Sequence, residues 1–192
     1  MSHVSQYLIE TATIVGLLDQ QEIEDVAAGL ISLRNRNGRL FMVGLGGSAA
    51  NCSHAVNDFR KLCGIEAYSP VDNVAELTAR ANDEGWEGIF SRWLDGSNAT
   101  ENDALFVLSV GGGTDKVSLP LKLALNLAQS RKMAIFGIVG RDGGYTKELG
   151  HYVVLIPPVK GERITPHTEG FQSVILHCLV SHPELQKNKT VW

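Results

Sequence analysis

Cysteine is scarce in this 192-residue chain and odd in number, which excludes the paired-disulfide framework that staples small secreted folds. Cys52, Cys63 and Cys178 show no zinc-ribbon spacing, so they read as free thiols in or near a core. Cationic excess is missing as well. The 17 Lys and Arg against 21 Asp and Glu give a net charge of −4, which leaves no broad basic surface for nucleic-acid phosphates. General nucleic-acid binding is therefore not expected. No apolar run approaches the about eighteen residues that suggest a membrane span. Residues 1–25 lack a basic segment followed by a cleavable apolar stretch. Neither a membrane role nor export is expected, and the cytoplasm is the expected location.

Two nucleotide signatures are also absent. Gly44-Leu45-Gly46-Gly47-Ser48 and Ser109-Val110-Gly111-Gly112-Gly113-Thr114 are glycine-rich, but neither carries the Lys-Ser/Thr of a Walker loop or the glycine spacing of a dinucleotide fold. ATP and NAD are not expected ligands.

What is present is an ordinary globular composition, 44% hydrophobic and 20% charged, which supports a compact fold. The whole chain, 1–192, is expected to form one domain, with N-terminal helices over 1–36 and an α/β sandwich over 37–192. Apolar positions at helical spacing from Val4 to Leu33 predict two helices or one bent helix. They exceed what one flank of a small sheet needs to cover, which points to an oligomer.

Short apolar runs at 39–44, 104–109, 134–139 and 152–156 predict buried strands, and segments around 73–80, 86–94, 116–129 and 166–182 predict helices. Alternation of the two predicts a mostly parallel sheet with helices on both faces. Ligands of such sheets bind outside the carboxyl ends of the strands, where glycine turns open helix N-termini. Both glycine-rich turns sit there. Ser48 and Thr114 are read either as helix caps or as phosphate contacts as well.

His54 and Asp58 are four residues apart and so share a helix face. The pair reads either as half of a divalent metal site or as a surface ion pair. Glu169 and His177 are separated by roughly 12 Å along a straight helix. They converge only if their side chains reach toward each other or come from different chains, and His167 is an alternative ligand to Glu169. A buried His177 beside Val174 and Leu176 is the other reading of that residue.

The loop Gly44–Ser48 followed by His54-Ala55-Val56-Asn57-Asp58 resembles the sedoheptulose 7-phosphate (phosphoheptose) isomerase branch of the sugar-isomerase (SIS) family. Ala81-Asn82-Asp83, Gly88-Ile89-Phe90-Ser91-Arg92, Gly140-Arg141-Asp142-Gly143-Gly144 and the helix with His177 extend the likeness over nearly the whole chain. The resemblance implies a flavodoxin-like three-layer α/β/α sandwich with a mostly parallel five-stranded sheet, assembled as a homotetramer. It implies aldose–ketose isomerisation between sedoheptulose 7-phosphate and D-glycero-D-manno-heptose 7-phosphate. The alternative is a non-catalytic phosphosugar sensor or adaptor on the same scaffold.

By the same resemblance, Asp58 and His177 are the catalytic base and acid. The metal ligands are His54, Asp58, Glu169 and His177, with zinc as the ion. Sugar-phosphate contacts fall to Gly46, Gly47, Ser48, Asn82, Asp83, Ser109, Gly111, Gly112, Thr114 and Glu169. The chain departs from the family at Leu45 (usually Asn), at Asp58 (usually Glu) and at Glu169 (usually Gln). Val110, Gly111 and Gly113 replace polar side chains of the second loop, so phosphate binding is expected to lean on backbone N–H groups.

Overall fold

A computed structural model describes residues 1–190. The four apolar runs form β1 (Leu40–Gly44), β3 (Ala104–Ser109), β4 (Ala134–Val139) and β5 (Tyr152–Leu155). The remaining strand, β2, is the pair Ala67–Tyr68, too short to leave a periodic signature. All pairings are parallel, in the order β2-β1-β3-β4-β5. That is the flavodoxin-like order, whose topological switch lies between β1 and β3.

Among the described residues, eight α-helices surround the sheet: α1 His3–Leu17, α2 Gln20–Asn35, α3 Gly47–Cys63, α4 Val74–Glu84, α5 Ile89–Gly96, α6 Leu119–Ser130, α7 Gly144–Leu149 and α8 Ile164–Val180. Period-two alternation splits each strand between two faces. Leu40, Met42, Phe106, Phe136 and Ile138 enter one core with α2, α3 and α8. Phe41, Val43, Leu105, Val107 and Ile135 enter another with α5 and α6. The architecture is the expected three-layer sandwich, and burial on both faces explains why the strands read as unbroken apolar runs.

On the α3 face an aromatic row crosses the sheet. Phe59 to Phe106, Phe106 to Phe136 and Phe136 to Tyr152 have ring centroids 6.3, 5.7 and 4.9 Å apart, each contact adding roughly 0.5–1.5 kcal/mol beyond area burial. Cys52 and Cys63 are part of this core. Burial pushes both thiols up, Cys63 to about 12, which makes them poor nucleophiles. Cys178 is exposed and departs from the expected core placement.

The N-terminal segment forms two helices, broken at Leu18 and restarted by Asp19, whose carboxylate accepts from Gln21 N at 2.8 Å. α2 covers the outer edge of the sheet, where Glu22 accepts from Leu155 N at 2.8 Å. Of α1, Ile14 is buried, while Val4, Leu8, Ile9, Val15 and Leu17 face outward. This helix is held to α8 by polar contacts: Tyr7 stacks on His167 with centroids 4.3 Å apart, and Glu10 accepts from Arg163 Nη2 at 2.6 Å and Nε at 2.8 Å. No helix among the described residues is long and apolar enough to cross a membrane.

Hydrogen bonds from Arg163, and next from His167, hold the Glu10 carboxyl well below its ordinary 4.5, at about 2. A depressed carboxyl contributes stability that is complete above its unfolded value and is lost as pH falls through the folded one. The stability advantage of wild type over Glu10→Gln should therefore be constant above pH 4.5 and shrink progressively between pH 4.5 and about 2. Urea midpoints of both proteins across that range test this, and a gap that stays constant down to pH 3 contradicts it.

Candidate functional site

The turn from β1 into α3 places Gly46 at the helix cap with φ 61° and no side-chain capping bond. Ser48, expected as a cap or phosphate contact, lies within the first turn of α3 and is 1% exposed. It therefore cannot fill the capping role, and its side chain lines a cleft instead. Thr114 does not cap α6 either, since four residues separate it from that helix. Its Oγ1 accepts from Val117 N at 2.9 Å and Lys116 N at 3.3 Å, and donates to Val117 O at 3.3 Å. The hydroxyl is spent on its own turn.

The cleft holds about 440 Å³ at the carboxyl ends of β1, β3 and β4. It is lined by Leu45, Ser48, Ser109, Gly111, Gly113 and Thr114 from the first two loops, and by Arg141 and Thr165 opposite. Of the contacts expected in the two glycine loops, Gly46, Gly47 and Gly112 are absent from the lining. Gly112 is held elsewhere. Its N–H donates to Ser109 Oγ at 3.0 Å, and its carbonyl accepts from Thr146 N at 3.0 Å and Thr146 Oγ1 at 2.7 Å. Both backbone groups are consumed in joining the loop after β3 to the loop after β4, so Gly112 supports the cleft from behind.

α3 and α8 lie alongside each other and run in the same direction. Asn51 Nδ2 donates to Glu169 O at 3.0 Å and to Gln172 Oε1 at 3.1 Å, and further along Cys63 Sγ meets Val180 O at 3.9 Å. Both helix N-termini thus point toward the cleft end of the sheet, with their positive dipole ends foremost.

Between those two contacts the helices bring His54, Asp58 and His177 together. His54 Nε2 lies 3.0 Å from His177 Nε2 and 3.2 Å from Asp58 Oδ2, and His177 Nε2 lies 3.8 Å from the same oxygen. Asp58 is 3% exposed and its Oδ1 accepts from Asn57 Nδ2 at 3.0 Å, while both histidines are exposed. His177 is therefore not the buried core histidine of the alternative reading. The potential ligand atoms of the three residues lie within 4.8 Å of one another. Two imidazoles and a carboxylate are a donor set that fits zinc, with room for an exchangeable ligand.

Glu169, expected as a fourth ligand, is not in this cluster. It sits more than two helical turns before His177, and its carboxylate lies against Gly47, where a Cβ would fall 2.5 Å from Oε2. His167 does not substitute for it, being tied to Glu10 at 3.0 Å. Asn82 and Asp83 are exposed in the last turn of α4, where Asn82 Nδ2 donates to Asp83 Oδ1 at 2.7 Å, and neither lines the cleft.

The sequence reading missed three contributors. Gln172 and Asn51 clamp α3 to α8, and nothing in their local pattern marks them. Arg141 reaches the cleft, and its signal was present in the glycine-flanked turn that follows β4, as the other two follow β1 and β3.

No family-wide sequence model matches the chain. A phosphoheptose isomerase of Mycobacterium tuberculosis (strain ATCC 25177 / H37Ra) is 30% identical over 162 residues, 81% of this chain and 77% of that protein. A phosphoheptose isomerase of Aneurinibacillus thermoaerophilus is 28% identical over 176 residues, 88% of this chain and 84% of the relative. Among solved structures, a phosphoheptose isomerase from Neisseria gonorrhoeae superposes with a TM-score of 0.79 at 21% identity, covering 92% of this chain and 95% of the other.

The glycines of the second loop separate by their surroundings. At Gly111 an added Cβ makes an ordinary 3.6 Å contact with Arg141 Cδ, whereas at Gly112, with φ 68°, it collides with the Gly143 carbonyl. Gly111→Ala should change stability by about 0.5 kcal/mol or less, and Gly112→Ala should cost at least about 2 kcal/mol from the left-handed backbone and the collision together. Thermal unfolding of the two variants checks the contrast, and equal melting temperatures would contradict it.

Proposed function

Because the chain belongs to the phosphoheptose isomerase family and is thus an enzyme, we propose that it interconverts sedoheptulose 7-phosphate and D-glycero-D-manno-heptose 7-phosphate. The observation that carries this reading is the convergence of His54, Asp58 and His177 on the helix whose first turn lines the cleft.

The spacing supports a long sugar. Ser48 marks the cleft end of α3, and the rise from there to His54 is roughly 9 Å. Helical side chains lean toward the N-terminus, so Asp58 reaches back to the level of His54, as their 3.2 Å contact requires. An extended carbon chain advances roughly 1.3 Å per bond, so a seven-carbon sugar with its phosphate ester spans roughly 10 Å. Phosphate in the cleft then leaves C1 and C2 beside the two histidines and Asp58. A three-carbon sugar phosphate falls short.

Isomerisation moves one proton between C1 and C2 and another between their oxygens through an enediol. Asp58 takes the proton from C1 of the ketose, and His177 donates a proton to the C2 carbonyl oxygen. Asp58 then returns its proton to C2 while the O1 proton passes to His177, which leaves the aldehyde and restores both groups. Asn57, bonded to Oδ1, leaves Oδ2 as the working oxygen. Glu169, beside Gly47 at the phosphate end, is too far from C1 to act as base on a chain of this length and instead contacts sugar hydroxyls. His54, Asp58 and His177 are also the residues that would hold zinc, which when bound would polarise the sugar carbonyl in place of the proton that His177 otherwise supplies.

The outward apolar face of α1, with Val4, Leu8, Ile9, Val15 and Leu17, supports self-assembly, and the family likeness sets the proposal at a homotetramer in the cytoplasm. Light scattering that gives a monomer at micromolar concentration overturns that assembly.

Turnover of C5 to C7 sugar phosphates, with metal content measured in every sample, tests the activity. Asp58→Asn should lower turnover by about 100-fold or more, the usual scale for loss of a general base, while still binding sugar phosphate. His54→Ala should lose metal first. Wild-type turnover by Asp58→Asn at equal metal occupancy removes Asp58 as the base, and absence of C7 isomerisation by the wild type overturns the reading.

A further inference from the structure

Among the described residues lining the cleft, Arg141 is the only lysine or arginine. Arg39, Arg80, Arg131 and Arg163 each close on a carboxylate, but the Arg141 side chain has no hydrogen bond or ion pair among the described residues. The neighbouring Asp142 carboxylate accepts from Gly144 N at 3.2 Å instead.

Arg141 is also held in a costly conformation. Its φ is 52°, a left-handed backbone that costs a residue with a Cβ free energy that glycine would not lose. The turn is fixed around it, with Gly143 N donating to Gly140 O at 2.9 Å and Gly140 N to Ser109 O at 3.3 Å. The Arg141 stem passes over Gly111, where a Cβ would lie 3.6 Å from Cδ and 3.9 Å from Nε. No side chain at 111 comes between the stem and the loop.

The surrounding groups favour a cation in the cleft. Glu169 places its carboxylate against Gly47 at the start of α3, which offsets the positive end of that helix where an anion would otherwise be drawn. Gly112 N is already bonded to Ser109 Oγ and the Thr114 hydroxyl to its own turn. Ser109 keeps its proton to donate, since its oxygen acts as acceptor toward Gly112. Ser48 is 1% exposed and lines the cleft.

We propose that Arg141 is the phosphate-recognising cation of the cleft, its guanidinium paired with phosphate oxygens and the Ser48 and Ser109 hydroxyls completing the grip. This assignment rests on the proposed sugar-phosphate substrate and deepens it. Guanidinium–phosphate pairing is charge-assisted and bidentate, so Arg141 selects a phosphorylated sugar over an unphosphorylated one.

Calorimetric titration with inorganic phosphate at fixed ionic strength tests it. Arg141→Gln should weaken binding about 10- to 100-fold, the scale for a hydrogen bond to a charged partner, and Arg141→Lys should recover part of the loss. Lys116→Gln removes an exposed cation outside the cleft lining and should shift affinity less than about twofold. Phosphate affinity in Arg141→Gln equal to wild type overturns the assignment. Should Gln not fold, Lys carries the test: wild-type affinity in Arg141→Lys, or a loss there matched by an equal loss in Lys116→Gln, overturns the assignment.

Turnover separates this inference from the proposed reaction. Wild-type heptose-phosphate turnover with unchanged KM in Arg141→Gln sinks the role of Arg141 and leaves the reaction standing. Arginine-dependent phosphate binding by a wild type that isomerises no heptose phosphate does the reverse.

Discussion

The site exists only because α3 and α8 lie side by side, in the same direction, on one face of the sheet. His54 and His177 are distant in sequence and share no local pattern, so their 3.0 Å approach is set entirely by how those helices register. A carboxamide pair, the buried Gln172 and the half-buried Asn51, sets that register. Gln172 is fully buried, its Oε1 accepting from Asn51 at 3.1 Å and its Nε2 donating to Ile138 O at 3.4 Å. Sliding α8 by a turn would take Gln172 from both partners, and sliding α3 would take Asn51 from it, a loss of roughly 1–3 kcal/mol for each stranded group. Apolar contacts alone would tolerate such a slip far better, because hydrophobic burial is non-directional. The polar pair thus supplies the directionality that the apolar core beneath lacks.

At the other end of the same helices, the cleft depends on a second directional join. The loops after β3 and β4 are tied by Thr146 and Tyr145, whose N–H groups bond to Gly112 O and Gly113 O at 3.0 Å each. This explains a division within one glycine run. Gly111 and Gly113 line the cleft, while Gly112 between them turns its backbone to the neighbouring loop. A loop that spends some of its amides on structure has fewer for a ligand, and side-chain donors from elsewhere become correspondingly important.

That division also shows what the amino-acid sequence can reveal. Burial on both faces writes itself into contiguous runs such as Leu40–Val43 and Ala104–Leu108, so strands, parallel pairing and helix layers were legible. His54 and Asp58 were legible as a pair because helical spacing is local. The two-residue β2 and the short α7 were not, since neither completes a period. Which way Gly112, Thr114 and Ser48 turn their polar groups was not legible, because a glycine-rich turn does not say which of its amides face solvent and which face another loop. Glu169 was placed with the metal ligands by analogy, although its distance from His177 along α8 already argued against a shared ion within one chain.

The two ends of α3 divide the work that an isomerase of this kind must do. Binding energy from a phosphate far from the reacting carbons raises rate only if the intervening chain is held taut enough to position C1 and C2. A rigid helix with one centre in its first turn and another roughly 9 Å along its axis meets that condition, because its length does not change when either centre is filled. Burial of Asp58 at 3% exposure, beneath two exposed imidazoles, then fixes which oxygen is presented and excludes bulk water from beneath it. If phosphate binds in the cleft as proposed, the acidic Glu169 works against it, and the field from Arg141 and the two helix N-termini must exceed that repulsion. Charge at one centre and burial at the other are therefore coupled through the stiffness of a single helix, which ties the proposed sugar length to the geometry of α3.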